Sequence, residues 1–138
     1  MTRGRRLAAA LLLLALGGCT YYPAVTDTGS PRLEPKNGRL VRTTGGAVCY
    51  LELESTGKYG DLLVSAESPA ARRVEILTGD GQRAGAIAVP PFSRVDFRPG
   101  GPRIALSDLT RPLSPGDGVI VTLVFSKSGR IGVVSRVE

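Results

Sequence analysis

Two segments of this chain carry apolar residues at every second position, and this pattern constrains the fold most strongly. The first segment carries Ala47, Cys49, Leu51 and Leu53 on one face, and the second carries Val119, Val121, Leu123 and Phe125. A period of two is typical of a β-strand with one buried face. From about residue 39 onward, no segment shows a convincing period of 3.6, so the pattern predicts an all-β domain.

Shorter apolar runs, bounded by Gly, Pro, Asp or Ser, recur about every 8–12 residues and predict further strands. They cover residues 62–66, 74–77, 84–89, 94–97 and 103–106. Ile131, Val133 and Val137 follow Ser128-Gly129, so we expect the last two strands to form a hairpin.

We interpret the glycines of Thr78-Gly79-Asp80-Gly81 as a turn, because their spacing is not that of a phosphate-binding loop. The expected architecture is a single Greek-key β-sandwich over residues 39–138.

The N-terminus has the pattern of a signal peptide. Arg3, Arg5 and Arg6 precede an apolar run of ten residues, Leu7–Leu16, which is too short to span about 30 Å of hydrocarbon. Leu16-Gly17-Gly18-Cys19 resembles a bacterial lipobox. That resemblance implies that residues 1–18 are removed and that Cys19 becomes a palmitate-bearing diacylglyceryl cysteine. An ordinary secretory signal with an incidental Cys, or a buried N-terminal helix, is the alternative.

Removal of the signal segment changes the charge of the chain. Three of the 18 basic residues lie in that segment, so 15 remain against 12 acidic ones and the formal charge falls from +6 to about +3. The remaining Arg residues are scattered and aromatics make up only 5%, which argues against nucleic-acid binding. Residues 19–38, rich in Pro, Thr, Ser and Gly, are expected to form the lipidated N-terminus and a flexible tether. This organisation predicts a cell-membrane or outer-membrane anchor on the extracytoplasmic face of a bacterium.

Four strings, in order along the chain, resemble the domain of periplasmic copper chaperones of the PCu(A)C family. They are Ala47–Leu53, Leu63–Glu75 with its Ser-Pro-Ala-Ala and Val-Glu, Phe97–Gly101 with its Pro-Gly-Gly, and Leu109–Asp117. The resemblance covers about 90 residues. It implies a cupredoxin-like β-sandwich, in agreement with the strand pattern, and that family binds Cu(I) through His and Met side chains.

The ligands of that family are missing here. The chain has no His, and its single Met is Met1. The resemblance places Leu77 at the first ligand His, and Arg103 and Ala105 at the following His-x-Met pair. Cu(I) is soft and prefers thioether, thiolate and imidazole donors, whereas Arg only donates hydrogen bonds and cannot ligate a metal. We therefore expect no cofactor and a non-enzymatic binding or interaction module whose partner is an unidentified envelope protein.

Cys49 is the remaining soft donor once Cys19 is acylated. It shares a strand face with Leu51 and Leu53, so we interpret it as a buried structural thiol. A reactive thiol, an intermolecular disulfide and a single metal ligand remain alternatives. The last of these would allow a copper chaperone that uses Cys49 from two molecules.

Two further clusters are candidate sites. Arg72, Arg73, Arg98 and Arg103 would form a site for an anionic partner if they converged near the former copper position; otherwise they are dispersed surface charge. Glu52 and Glu54 share a strand face and are expected to be solvated. Because His is absent, a Ser-His-Asp triad is impossible, and we expect no enzyme activity.

Overall fold

The computed structural model describes residues 31–138, and in this range the chain consists of nine β-strands joined by turns. The strands are β1 (Leu33–Thr43), β2 (Gly46–Ser55), β3 (Asp61–Glu67), β4 (Ala71–Leu77), β5 (Ile87–Val89), β6 (Arg94–Phe97), β7 (Arg103–Leu109), β8 (Gly118–Phe125) and β9 (Gly129–Val137). Among these residues no helix is long and apolar enough to cross a bilayer. The predicted signal peptide, Cys19 and the tether as far as residue 30 lie outside the described residues.

The nine strands form one curled, mixed sheet. Its order is β4-β7-β2-β1-β9-β8-β3-β5, and β6 continues alongside β2 beyond β7. Only the β1–β9 pair is parallel among the strand pairs of residues 31–138. The sheet curls so that β3 and β4, which lie near opposite ends of this order, contact each other. The curled sheet encloses a single apolar core.

The core is built from the alternating residues that the sequence singles out. In β2 the side chains of Ala47, Cys49, Leu51 and Leu53 are all buried. Four apolar residues of β8 are buried in the same way, at Val119, Val121, Leu123 and Phe125. Strands β8 and β9 pair as the predicted hairpin. The predicted all-β fold is therefore confirmed.

The first strand begins earlier than the sequence suggests. The predicted boundary of the tether at residue 38 lies inside β1, which starts at Leu33. Residues 33–38 show no alternating apolar pattern in the sequence. A bulge follows Lys36 and Asn37 adopts a positive φ of 53°, so the regular alternation of side chains between the two faces is interrupted there. Backbone pairing with β2 and an ion pair between Lys36 Nζ and Glu54 Oε2 (2.8 Å) hold the segment in the sheet.

Two other predicted strands differ in length. Only Ile87–Val89 of the predicted run 84–89 forms a strand, because the preceding residues fold back on β4 through a bridge between Leu77 and Arg83. Strand β7 extends to Leu109 rather than 106, and its last residues pair with the start of β4.

Phe92 is held in a conformation that suits glycine. Its φ is +47° and its ring is 72% exposed. The left-handed region costs a residue with a Cβ roughly 1–2 kcal/mol, while glycine costs about 0.5–1 kcal/mol in chain entropy. We expect Phe92→Gly to leave the free energy of unfolding unchanged or to raise it by up to about 1 kcal/mol, measured by urea denaturation.

Phe97, which is buried, provides the matched control for this measurement. Phe97→Ala should lower the free energy of unfolding by about 3–5 kcal/mol. A comparable loss in Phe92→Gly would contradict the prediction and would show that the Phe92 ring supports the fold.

Candidate functional site

Strands β4 and β7 bring together Leu77, Arg103 and Ala105, the three residues that the sequence resemblance matches to copper ligands. Leu77 of β4 lies directly opposite Arg103 of β7, and Ala105 lies two residues further along β7 on the same face. The intervening Ile104 points the other way and is fully buried in the core. The alternation of each strand thus keeps an apolar core face while Leu77, Arg103 and Ala105 meet on the outer face.

A tight turn closes over this outer face. The Thr78 amide donates to the Gln82 carbonyl oxygen at 2.8 Å, and the Gly81 amide donates to the Thr78 carbonyl oxygen at 2.9 Å. Gly81 has a φ of +83°. This confirms the turn that Asp80-Gly81 predicts, in place of a phosphate-binding loop.

Arg103 lies against this turn. A Cβ added to Gly81 would stand 3.2 Å from a terminal guanidinium nitrogen of Arg103. The Thr78 hydroxyl hydrogen-bonds the Asp80 carboxylate and is the main cause of a lowered pKa of Asp80, to which the positive charge of Arg103 adds. A permanent cation therefore stands beside an anionic turn on this outer face.

The donors around these positions do not suit a soft metal. Glu75, opposite Ala105, is paired with Arg83 at 2.7 Å. In the part of the chain that the structure describes, no group of three or more His, Cys, Asp or Glu side chains is arranged to hold a metal ion. The surface offers ion pairs and apolar groups where Cu(I) would need sulfur or imidazole.

Cys49 lies on the opposite side of the sheet from these positions. It is opposite Ile104 in the register, so its side chain points into the core. Its Sγ atom is 3.4 Å from the hydroxyl of Ser135, and both residues are fully buried. Burial raises the pKa of the Cys49 thiol to about 11, although the contact with Ser135 lowers it in part. The thiol cannot share a metal ion with the outer-face positions.

We expect the Cys49 thiol to be inert in the folded protein. A rise in pKa from 9.0 to about 11 alone reduces the thiolate fraction about a hundredfold near neutral pH, and burial blocks access of the reagent. Labelling with a disulfide reagent, in a chain in which Cys19→Ser removes the other thiol, should be at least about a hundredfold slower in buffer than in urea. Rapid labelling of the folded chain would contradict this.

The four arginines proposed as an anionic-partner patch are distributed over several surfaces. Arg72 and Arg73 are neighbours on β4 and point to opposite faces, and Arg72 Nη1 lies 3.4 Å from Asp108 Oδ1. Arg73 shares the outer face with Arg103, but four residues along β4 separate their register positions, about 13 Å. The structure therefore does not bring Arg72 or Arg73 to Arg103.

Arg98 belongs to a different cluster. It follows β6 and lines a cleft of about 330 Å³ together with Arg39, Tyr50, Glu52 and Asp96. The Arg39 guanidinium stands 5.1 Å from the centre of the Tyr50 ring, and its Nη1 atom is 3.3 Å from Glu138 Oε1. Sequence reasoning missed Arg39, because the register of β1 on β2 is what places it beside Tyr50.

The nine strands together define a PCuAC-type β-domain. Residues 29–137 match the family described as "Putative lipoprotein LpqE-like", and the chain belongs to this family. "Putative lipoprotein Lxx21020" of Leifsonia xyli subsp. xyli is similar at 28% identity over an alignment of 143 positions, which covers 91% of this chain and 86% of that protein.

Solved structures agree with this assignment. The chain is similar to the "Copper-bound PCuAC domain from PmoF2", with a TM-score of 0.71 and 27% identity over 79% of this chain and 94% of that one. It also shares the fold of Cu(I)-DR1885 from Deinococcus radiodurans, with a TM-score of 0.64 and 19% identity over 88% of this chain and 83% of that one. The resemblance inferred from the sequence is therefore confirmed. The matched proteins are PCuAC domains and a lipoprotein. The copper named for two of the solved structures is a property of those proteins.

Proposed function

We propose that this protein is a membrane-anchored extracytoplasmic lipoprotein whose PCuAC-type domain is a non-enzymatic binding module without the family's copper site. One observation carries the proposal. Leu77, Arg103 and Ala105 still meet on the outer face of β4 and β7, where a ligand set would stand, yet none offers a soft donor and Arg103 is held beside Asp80. A domain that keeps this strand register but lacks the copper donors can still contact a partner through ion pairs and apolar groups.

Acylation of Cys19 is the anchor in this proposal. It is supported by the lipobox-like Leu16-Gly17-Gly18-Cys19 and by membership of a lipoprotein family. More than one acyl chain is needed for stable attachment, since each buried methylene contributes about 0.8 kcal/mol. Mass spectrometry of the N-terminal peptide should find a diacylglyceryl group on Cys19. Cys19→Ala should lose the acyl mass, and an unmodified Cys19 in the native protein would refute the anchor.

A copper chaperone that uses Cys49 from two molecules is the second candidate. The likeness to a copper-bound PCuAC domain favours it, while full burial of the Cys49 side chain opposes it. Analytical ultracentrifugation with and without Cu(I), under reducing conditions, separates the two. The proposed binding module remains unchanged by Cu(I). A Cu(I)-dependent dimer that Cys49→Ser abolishes would establish the second candidate instead.

A further inference from the structure

Four segments of the chain meet at one end of the domain, which we call the tether end. They are residues 31–32, 56–60, 90–93 and 126–128, which precede β1, join β2 to β3, join β5 to β6 and join β8 to β9. The strand register places them together, since Ser55 pairs with Leu33, Arg94 with Glu54 and Val89 with Asp61. This is the end at which the chain enters the domain from residue 31.

The most exposed large apolar side chain of the described residues lies at the tether end. Phe92 is 72% exposed and its backbone is held at a positive φ, so the fold presents the ring at a cost in backbone strain. Its amide donates to the Gly57 carbonyl oxygen at 3.2 Å, and Ser93 Oγ donates to the Pro90 carbonyl oxygen at 2.7 Å. These bonds fix the loop while the ring points into solvent.

The neighbouring loop fixes the Phe92 loop from the other side. A Cβ on Gly60 would stand 2.9 Å from the Val89 carbonyl oxygen and 3.3 Å from Pro91 Cδ, so the two loops are in close contact. Leu62, 44% exposed, lies next to them and lines a cleft with Pro90 and Lys127. The tether end therefore presents a rigid apolar tip.

The charged groups around this tip favour an anionic surface. Arg32, Lys58 and Lys127 are exposed there, and Lys58 Nζ lies 5.3 Å from the centre of the Tyr59 ring.

The carboxylates of this end are already engaged. Asp61 is buried and accepts hydrogen bonds from Ser128 and from nearby backbone amides. Glu34 and Glu54 both pair with Lys36, and Asp96 pairs with Arg94.

We propose that the tether end docks on an anionic lipid surface, with Phe92 inserted among the headgroups. Aromatic rings and basic side chains are the groups that favour this interface. The inference rests on the lipid anchor of the proposed function. The thirteen peptide links from Cys19 to Arg32 reach at most about 45 Å, so the anchor holds this end of the domain near the membrane.

The lateral surface of β8 and β9 provides the comparison. Ile120 (50% exposed) and Val134 (68% exposed) are direct partners in the register and form an apolar pair there. This pair lies near the start of β8 and the end of β9, away from the turn that belongs to the tether end. A domain that lay on its side would bury Val134 in lipid, whereas a domain docked by the tether end leaves Val134 in water.

The test uses tryptophan as a depth reporter, since the chain contains no Trp. The full lipidated protein carrying Phe92→Trp is reconstituted in nanodiscs of phosphatidylglycerol and phosphatidylcholine, with and without bromine on the acyl chains. The emission of the Phe92→Trp protein should shift to the blue and be quenched by the brominated lipid. In the matched Val134→Trp protein, emission should stay that of a solvated indole. Leu62→Trp, at the same end, should behave as Phe92→Trp does and covers the case in which Phe92→Trp misfolds.

Each outcome is decisive. If the acylated Phe92→Trp protein shows solvated emission, the docking is wrong while the anchor stands. If the Val134→Trp protein is quenched instead, the domain lies on its side and the proposed docking is also wrong. An unacylated Cys19 in the mass spectrum of the same sample refutes the anchor, and the docking falls with it. Replacing phosphatidylglycerol with more phosphatidylcholine should weaken the quenching of the Phe92→Trp protein, and unchanged quenching would remove the role of the basic residues.

Discussion

A chain that carries Leu77→His, Arg103→His and Ala105→Met should bind Cu(I) at least about a thousandfold more tightly than the unaltered chain, a gain of about 4 kcal/mol. The three positions already meet on the outer face of β4 and β7. The substitutions supply two imidazoles and a thioether, which Cu(I) prefers, and they remove the cation that Arg103 places beside the turn. Competition with a chromophoric Cu(I) chelator measures the gain.

The matched control replaces the same residues without adding donors suited to Cu(I), as Leu77→Gln, Arg103→Gln and Ala105→Leu. Its affinity should stay at the level of the unaltered chain. If the control gained as much as the His and Met variant, the gain would come from removal of Arg103. If neither gained, the outer face would not hold the geometry of a ligand set.

Asp61→Ala should lower the free energy of unfolding by about 3–4 kcal/mol. Both Asp61 carboxylate oxygens are engaged: Oδ1 accepts from the Leu62 and Lys127 amides at 2.8 and 2.9 Å, and Oδ2 accepts from the Ser128 amide and hydroxyl at 2.8 and 2.7 Å. Asp61 is buried, so its loss leaves three amides without an acceptor, each costing about 1–3 kcal/mol less any contribution from water. Urea denaturation measures the change.

Glu67, at the other end of β3, is the control for Asp61. It is exposed and pairs with Arg130 on the surface, so Glu67→Ala should cost less than about 1 kcal/mol. Equal losses in the two variants would contradict the assigned role of the Asp61 hydrogen bonds.

The same carboxyl predicts a dependence of stability on pH. Burial raises the pKa of Asp61, but the hydrogen bonds from Ser128, Lys127 and Leu62 outweigh it and hold the pKa below the ordinary value of 3.8. A lowered folded-state pKa contributes stability that is present above the unfolded value and is lost as pH falls through the folded one. Asp61→Ala should therefore flatten the loss of stability below about pH 4, and an unchanged acid limb would contradict this.

The sequence predicted those parts of the fold that follow from alternation. Strands β2 and β8 each bury one face and expose the other, so their residues reveal both the strand and its core side. The hairpin of β8 and β9 followed from a glycine turn between two such runs. The burial of Cys49 followed from its place between Ala47 and Leu51 on the same face.

The parts that escaped prediction depend on contacts between distant segments. Residues 33–38 join the sheet through backbone pairing and a bulge, and neither leaves an alternating pattern. Arg39 reaches Tyr50 only because β1 pairs with β2, and the contact of Cys49 with Ser135 depends on the packing of β2 near β9. Phe92 gave no signal because its exposure and positive φ arise from the packing of two loops at the tether end.

A Cu(I) competition titration of the unaltered protein against a chromophoric chelator, under reducing conditions, tests most directly whether the domain lacks a copper site. We expect no binding beyond that of the chelator blank, since Leu77, Arg103 and Ala105 offer no soft donor and Cys49 is buried. Tight binding of one Cu(I) per chain, retained in Cys49→Ala, would contradict it and would require a copper site built from other residues.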